Sequence, residues 1–253
     1  MNELTDDRLI AFEAATNFRD LGGYPSTLGG EVRRGMLYRA GRLDRMTASD
    51  RAQYEELGIA TVIDLRRDDE RELAPDPMPT VHLCLMSRVQ ANTPVRDPAT
   101  MVDHDHGVQF LRDLYSGLLE HASAEIGTLF TTLATPGAMP AVFHCAVGKD
   151  RTGLIAALLL TWLGVERELV LDDFEASDGH VGQHQRDELV RRMAERGIGA
   201  EAAAGILGAS RESMQSVLDE LDSRYGGIEQ FLRGKCAVAP DALSRLRELL
   251  LVG

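Results

Sequence analysis

Cys145 and Arg151 bracket five residues within HCAVGKDRTG, His144 to Gly153, and this spacing is where the chemistry in the chain begins. A thiolate attacks electrophilic centres, and a guanidinium binds phosphate oxygens through its planar fork. Five intervening residues let the backbone curl so that several N–H groups point inward, and Gly148 can take the dihedrals that such a curl requires. The amides of Ala146, Val147, Gly148 and Lys149 would then line a phosphate, with Arg151 closing the ring. The same positive field favours a thiolate over a thiol. Thr152 is placed to donate a hydrogen bond to the Cys145 sulfur and to help it leave in a second, hydrolytic step. His144, just before the nucleophile, is expected to orient the loop.

Such a loop needs a strand to deliver it and a helix to receive it. AVFHC (Ala141 to Cys145) is apolar and reads as a strand buried on both faces, and the run LIAALLLTWLGV (Leu154 to Val165) reads as a buried helix. Anions bind where strand ends meet helix N-termini, whose N–H groups are free. MLYRA (Met36 to Ala40), IATVIDL (Ile59 to Leu65) and VHLCL (Val81 to Leu85) are further strands. Thr47 caps a helix that Gly58 closes. Residues from Ser87 to His106, with Pro94 and Pro98, read as a polar loop or flap, and about Val108 to Leu133 as two helices. Beyond Gly164 the pattern is helical, with breaks expected at Gly179, Gly197, Gly205 and Gly226-Gly227. The fold class is α/β, a mostly parallel central sheet flanked by helices, with an extended helical C-terminal half. Residues 1–253 read as a single domain, in which about 175–225 form a helical lid or extension.

With these elements in hand, HCAVGKDRTG resembles the active-site loop of the bacterial tyrosine phosphatases of the atypical, lipid-phosphatase-like branch. NFRDLGGY (Asn17 to Tyr24), RGMLYRAGRL (Arg34 to Leu43), VIDLRRDDE (Val62 to Glu70) and YGGIEQFL (Tyr225 to Leu232) are similar to segments of the same family. The resemblance implies a tyrosine-phosphatase-like fold and hydrolysis of phosphotyrosine through a cysteinyl-phosphate on Cys145, with Arg151 as phosphate clamp and no cofactor. It implies that Asp150 is the catalytic acid; a helix cap is the other reading of that residue, and Asp103 or Asp105 is the rival acid, since the wider superfamily often keeps its acid on a flexible loop. Lys149 would add charge for further phosphates, as on phosphoinositides, or would pair with an acid such as Asp69 or Glu70. Arg19, Asp20, Asp64 and Arg66 would brace the site or simply pair with one another. A phosphoinositide phosphatase and a phosphate-recognition module without turnover are the alternative functions.

Composition narrows the partners. A net charge of -13 argues against nucleic acid and anionic membrane surfaces. The longest apolar run is twelve residues, short of the roughly 20 that a membrane span needs. The acidic start MNELTDDRLI is no signal peptide, so a cytoplasmic location is expected, although secretion without a signal leaves no mark in a sequence. Three cysteines, Cys84, Cys145 and Cys236, form no disulfide framework or thiolate metal site; Cys84 reads as core or as a redox partner of Cys145. His104 with His106, and His180 with His184, have spacings that could hold zinc, but no HExxH or cysteine pair accompanies them, and no metal is expected. Oligomeric state is not written in the sequence.

Overall fold

The computed structural model describes residues 7–92, 97–180 and 182–253, with the backbone alone for 99 and 183–185. Pro94 and the side chain of His184 lie outside the described residues. A five-stranded sheet forms the centre: β1 (Arg19–Asp20), β3 (Leu37–Ala40), β4 (Thr61–Asp64), β5 (Val81–His82) and β6 (Ala141–His144), in the order β1-β3-β6-β4-β5. β3, β6, β4 and β5 run parallel, and β1 is antiparallel at the edge. β2 (Glu31–Val32) pairs separately with β7 (Leu251–Val252).

β6 lies between β3 and β4, both of which precede it by many residues, so the strand order reverses around it. Its carboxyl end is therefore the crevice where α/β sheets bind ligands. Every residue of β6 and β3 is buried, and side chains alternate between faces. Leu37, Ile63, Ala141 and Phe143 join the larger core, with the helix that follows the loop. Tyr38, Ala40, Val62 and Val142 face a smaller core with Phe18, Leu43 and Met46. VHLCL is ladder-paired only at Val81–His82, although Leu83 N–H still donates to Asp64 O at 2.9 Å.

Thr47 caps α1 (Ala48–Glu56) through a capping box with Asp50. α2 is Asp68–Leu73 and α3 Val89–Asn92. The expected flap is partly ordered: α3 and a 3-10 turn at Pro98–Thr100 occupy it, and α4 (His104–His121) already begins inside it. α5 spans Ser123–Leu133, and α6 spans Asp150–Trp162 with ten buried residues, the centre of the larger core.

The C-terminal half contains α7 (Arg167–Glu175), a 3-10 turn (Ala176–His180), α8 (Gln183–Glu195), α9 (Ala200–Leu207), α10 (Arg211–Tyr225) and α11 (Pro240–Leu250). Gly226, in the left-handed region at φ 74°, ends α10 as expected. Gly205 does not break a helix. It sits inside α9 against Gly107 of α4, where an added Cβ would lie 2.4 Å from His104 O. Here glycine serves close helix packing, a demand that a local reading of breakers cannot register.

Candidate active site

The segment from Cys145 to Lys149 leaves β6 at the sheet centre and enters α6 at Asp150. Gly148 has φ 78°, and a Cβ there would lie 2.6 Å from Gly41 N, so both conformation and space demand glycine. Its N–H donates to the Cys145 sulfur at 3.3 Å. Its carbonyl is turned the other way and accepts from Asn17 Nδ2 at 2.8 Å and Arg39 Nη2 at 2.7 Å. The sulfur thus sits in a concave run of backbone at a helix N-terminus, where anions are favoured. Cys145 is only 2% exposed, while Ala146 and Val147 are half-buried.

Arg151, on the first turn of α6, is gripped from β4's side of the sheet. Nη1 donates to Glu70 Oε2 at 2.6 Å and Nη2 to Glu70 Oε1 at 2.9 Å, with Nη1 also 3.4 Å from Leu65 O. Burial opposes the charge on Arg151, but the Cys145 sulfur and Glu70 outweigh it and raise its pKa. Burial likewise opposes ionisation of Glu70, yet Arg151 holds that carboxyl below its usual range. Residue type suggests Glu70 only as a partner of Lys149; its link to Arg151 depends on α2 folding back over the end of β4.

Lys149 is 3% exposed. Its ammonium donates to Ile206 O at 2.8 Å and Gly208 O at 2.9 Å and lies 3.0 Å from Asp150 Oδ1. Three donors meet three acceptors. The alternative pairing of Lys149 with Asp69 or Glu70 does not occur, since Arg67 takes Asp69 and Arg151 takes Glu70. Lys149 instead docks on the C-terminal carbonyls of α9, where a cation complements the helix dipole. Asp150 Oδ1 also accepts from the hydroxyl of Tyr115 at 2.7 Å. Thr152 Oγ1 faces Ala40 O at 3.5 Å rather than the sulfur, which accepts from Gly148 N–H; the helix start directs the hydroxyl at β3.

A family model described as the tyrosine phosphatase family matches residues 10–252. The chain belongs to that family. This phosphatase is 29% identical over 240 residues to a provisionally named tyrosine-protein phosphatase of Cupriavidus necator, covering 88% of this chain and 82% of the relative. It is 24% identical over 273 residues to the triple specificity protein phosphatase PtpB of Mycobacterium tuberculosis, covering 94% and 97%. A tyrosine-protein phosphatase of Nostoc commune is 30% identical over 202 residues, covering 77% and 67%. The protein is accordingly a hydrolase acting on phosphotyrosine.

Behind its loop the phosphatase buries an ion cluster that the sequence announced only in part. Asp173, on α7, receives Arg19 Nε at 3.0 Å and Arg39 Nη1 at 2.5 Å, and Ser177 Oγ accepts from both arginines at 3.2 Å. Burial and the neighbouring Arg19 push Arg39 down to about 10 despite Asp173. Arg19 therefore reaches the loop through Asp173 and Arg39. Asp173 had no signal in the sequence, and Arg39 entered only as a member of RGMLYRAGRL; they lie 134 positions apart. Asp20 does not join them. It accepts Gly22 N at 2.8 Å and Gly35 N at 2.7 Å and staples a turn away from the loop.

On the opposite face Asp64 and Arg66 do pair with each other, at 2.9 Å, and both extend further. Arg66 also holds Asp76 at 2.5 Å, and Arg71 lies 3.1 Å from Asp64. His144 stands over this network, its Nε2 3.3 Å from Asp76 and its Nδ1 donating to Cys145 O at 3.4 Å. Asp64, Asp76 and His144 bring three possible ligand atoms within 4.8 Å of one another. Two guanidinium groups already compensate these carboxylates, so the set fits an ion-pair network better than a metal site. Asp103, the rival acid, caps α4 at His106 N, 2.9 Å, and pairs with the His106 ring at 2.7 Å. His104, Asp105 and His106 form the first turn of that helix. No described helix is long and apolar enough to cross a membrane.

Proposed function

We propose that this tyrosine phosphatase works through a phosphocysteine on Cys145. The sulfur attacks phosphorus, an S–P bond forms, the O–P bond to the tyrosine breaks, and Asp150 gives its proton to the departing phenolate oxygen. Water then attacks phosphorus, the S–P bond breaks, and Asp150 takes the water's proton. Arg151 and the amides of Ala146, Val147, Gly148 and Lys149 stabilise the equatorial oxygens. The observation that carries this reading is the Gly148 N–H on the Cys145 sulfur, in a loop whose arginine is held bidentate by Glu70.

The substrate reading is phosphotyrosine first. The triple specificity in PtpB's name supports testing more than one substrate class beside it. A preference for phosphoinositides drawn from Lys149 loses support, because its ammonium is engaged by Ile206, Gly208 and Asp150. The same contacts support reading residues 1–253 as one catalytic domain in which the helices within 175–225 are a docked extension. Cys84, Cys145 and Cys236 are all free thiols, in keeping with a reducing, cytoplasmic setting.

The deciding experiment is phosphate release from a phosphotyrosine peptide and from phosphoinositides in parallel, with chelator throughout and Cys145→Ser as control. Turnover that survives chelator and disappears in the variant is expected. Turnover in Cys145→Ser would overturn the mechanism.

A further inference from the structure

We infer that Tyr115 is a positioning residue for the proton transfer, selecting which oxygen of Asp150 carries the proton. The inference rests on Asp150 being the acid. Tyr115 lies at the middle of α4, fully buried, and its hydroxyl crosses to α6 to donate to Asp150 Oδ1 at 2.7 Å. Lys149 approaches the same oxygen at 3.0 Å. Both donors on Oδ1 leave Oδ2 as the oxygen that holds the proton, on a side chain that remains 28% exposed.

The phenol is itself fixed. Phe174 packs edge-on against its ring, with centroids 6.1 Å apart. Burial and the nearby Asp150 carboxylate keep its pKa well above the usual tyrosine value, so it stays a donor throughout the cycle. The hydrogen bond strengthens once Asp150 is ionised, because a charged acceptor binds a donor more tightly than a neutral one. It therefore favours proton release at the moment the leaving group departs, and more so as that group becomes more basic. A structural role alone, satisfying a buried hydroxyl, has no such dependence.

Tyr115→Phe retains the ring and removes the donor. Measured against aryl phosphates of graded leaving-group basicity, its kcat should fall about tenfold for the most basic phenol and much less for a nitrophenol, with KM little changed. Asp150→Asn is the reference. Adding Tyr115→Phe to it should cause no further change in leaving-group dependence. An equal loss across all leaving groups, or an additive effect in the double variant, would overturn the positioning role. If Asp150→Asn itself shows no leaving-group dependence, the assignment of the acid fails, and the role of Tyr115 fails with it. A thermal melt of each variant identifies any loss caused by unfolding. Should Tyr115→Phe not fold, Phe174→Leu, which loosens the ring and keeps the hydroxyl, must reproduce the leaving-group trend for the inference to stand.

Discussion

Glu70 binds Arg151 through both carboxylate oxygens, at 2.6 and 2.9 Å, across 81 positions of sequence. The contact uses the two terminal nitrogens and leaves the Nε edge of the guanidinium for a phosphate. Two opposite effects are conceivable. Glu70 neutralises charge, which weakens anion binding, and it orients the fork, which strengthens it. Orientation should win, because an unheld guanidinium must be ordered anew at each turnover. Glu70→Gln is expected to raise KM for a phosphotyrosine peptide and weaken competition by inorganic phosphate by roughly 10-fold, the scale of a lost charged hydrogen bond. Tighter phosphate binding in the variant would reverse that ranking.

Gly148→Ala tests the loop's shape. The position combines φ 78° with a Cβ contact of 2.6 Å to backbone, and strain of this kind costs about 1–3 kcal/mol. The protein should still fold, with a melting temperature lower by several degrees and turnover reduced by about 100-fold or more as the amide leaves the sulfur. Kinetics and calorimetry on the same preparation separate the two effects.

Lys149→Met should act mainly on stability. It keeps the buried stem but leaves Ile206 O and Gly208 O without their donor, at a cost of about 1–3 kcal/mol. Limited proteolysis between α8 and α10 should accelerate. A rise in KM for phosphoinositides alone, with proteolysis unchanged, would instead return Lys149 to the substrate.

Acid should unfold the protein through its paired carboxylates. Burial works against ionisation of Asp173, but Arg19 and Arg39 hold it far below the ordinary range, and Glu70 is lowered by Arg151. A depressed carboxyl stabilises the folded state at any pH above the unfolded value of about 4 and loses that contribution as pH falls through and below it. Melting temperature should therefore be flat from pH 7 to about 5 and fall steeply below 4. Asp173→Asn should be less stable at pH 7 and should show a shallower fall.

What could be read ahead of the fold followed from how local each requirement is. The strand before Cys145 and the helix after it announce themselves because full burial demands continuous apolar runs, and the Cys145 loop because its motif sits within ten residues. Tyr115 and Asp173 gave no comparable signal, and Asn17 and Arg39 stood out only as members of NFRDLGGY and RGMLYRAGRL. A lone tyrosine on an amphipathic helix looks like any core residue until α4 is packed beside α6. Thr152 shows the converse: its residue type suited a hydrogen bond to the sulfur, but the helix start it occupies aims the hydroxyl at Ala40 O.

Ala40, His144 and Asp64 lie level across three parallel strands, His144 paired in register with each of the others. The row works as a ruler. One residue added within β3, β4 or β6 would move every later side chain of that strand to the opposite face and carry Arg39, Asp64 or Cys145 away from its partners. Length variation among related chains should therefore be excluded from these three strands and collect in the connections between them, so gap positions in an alignment would trace the outline of the site without reference to any catalytic residue.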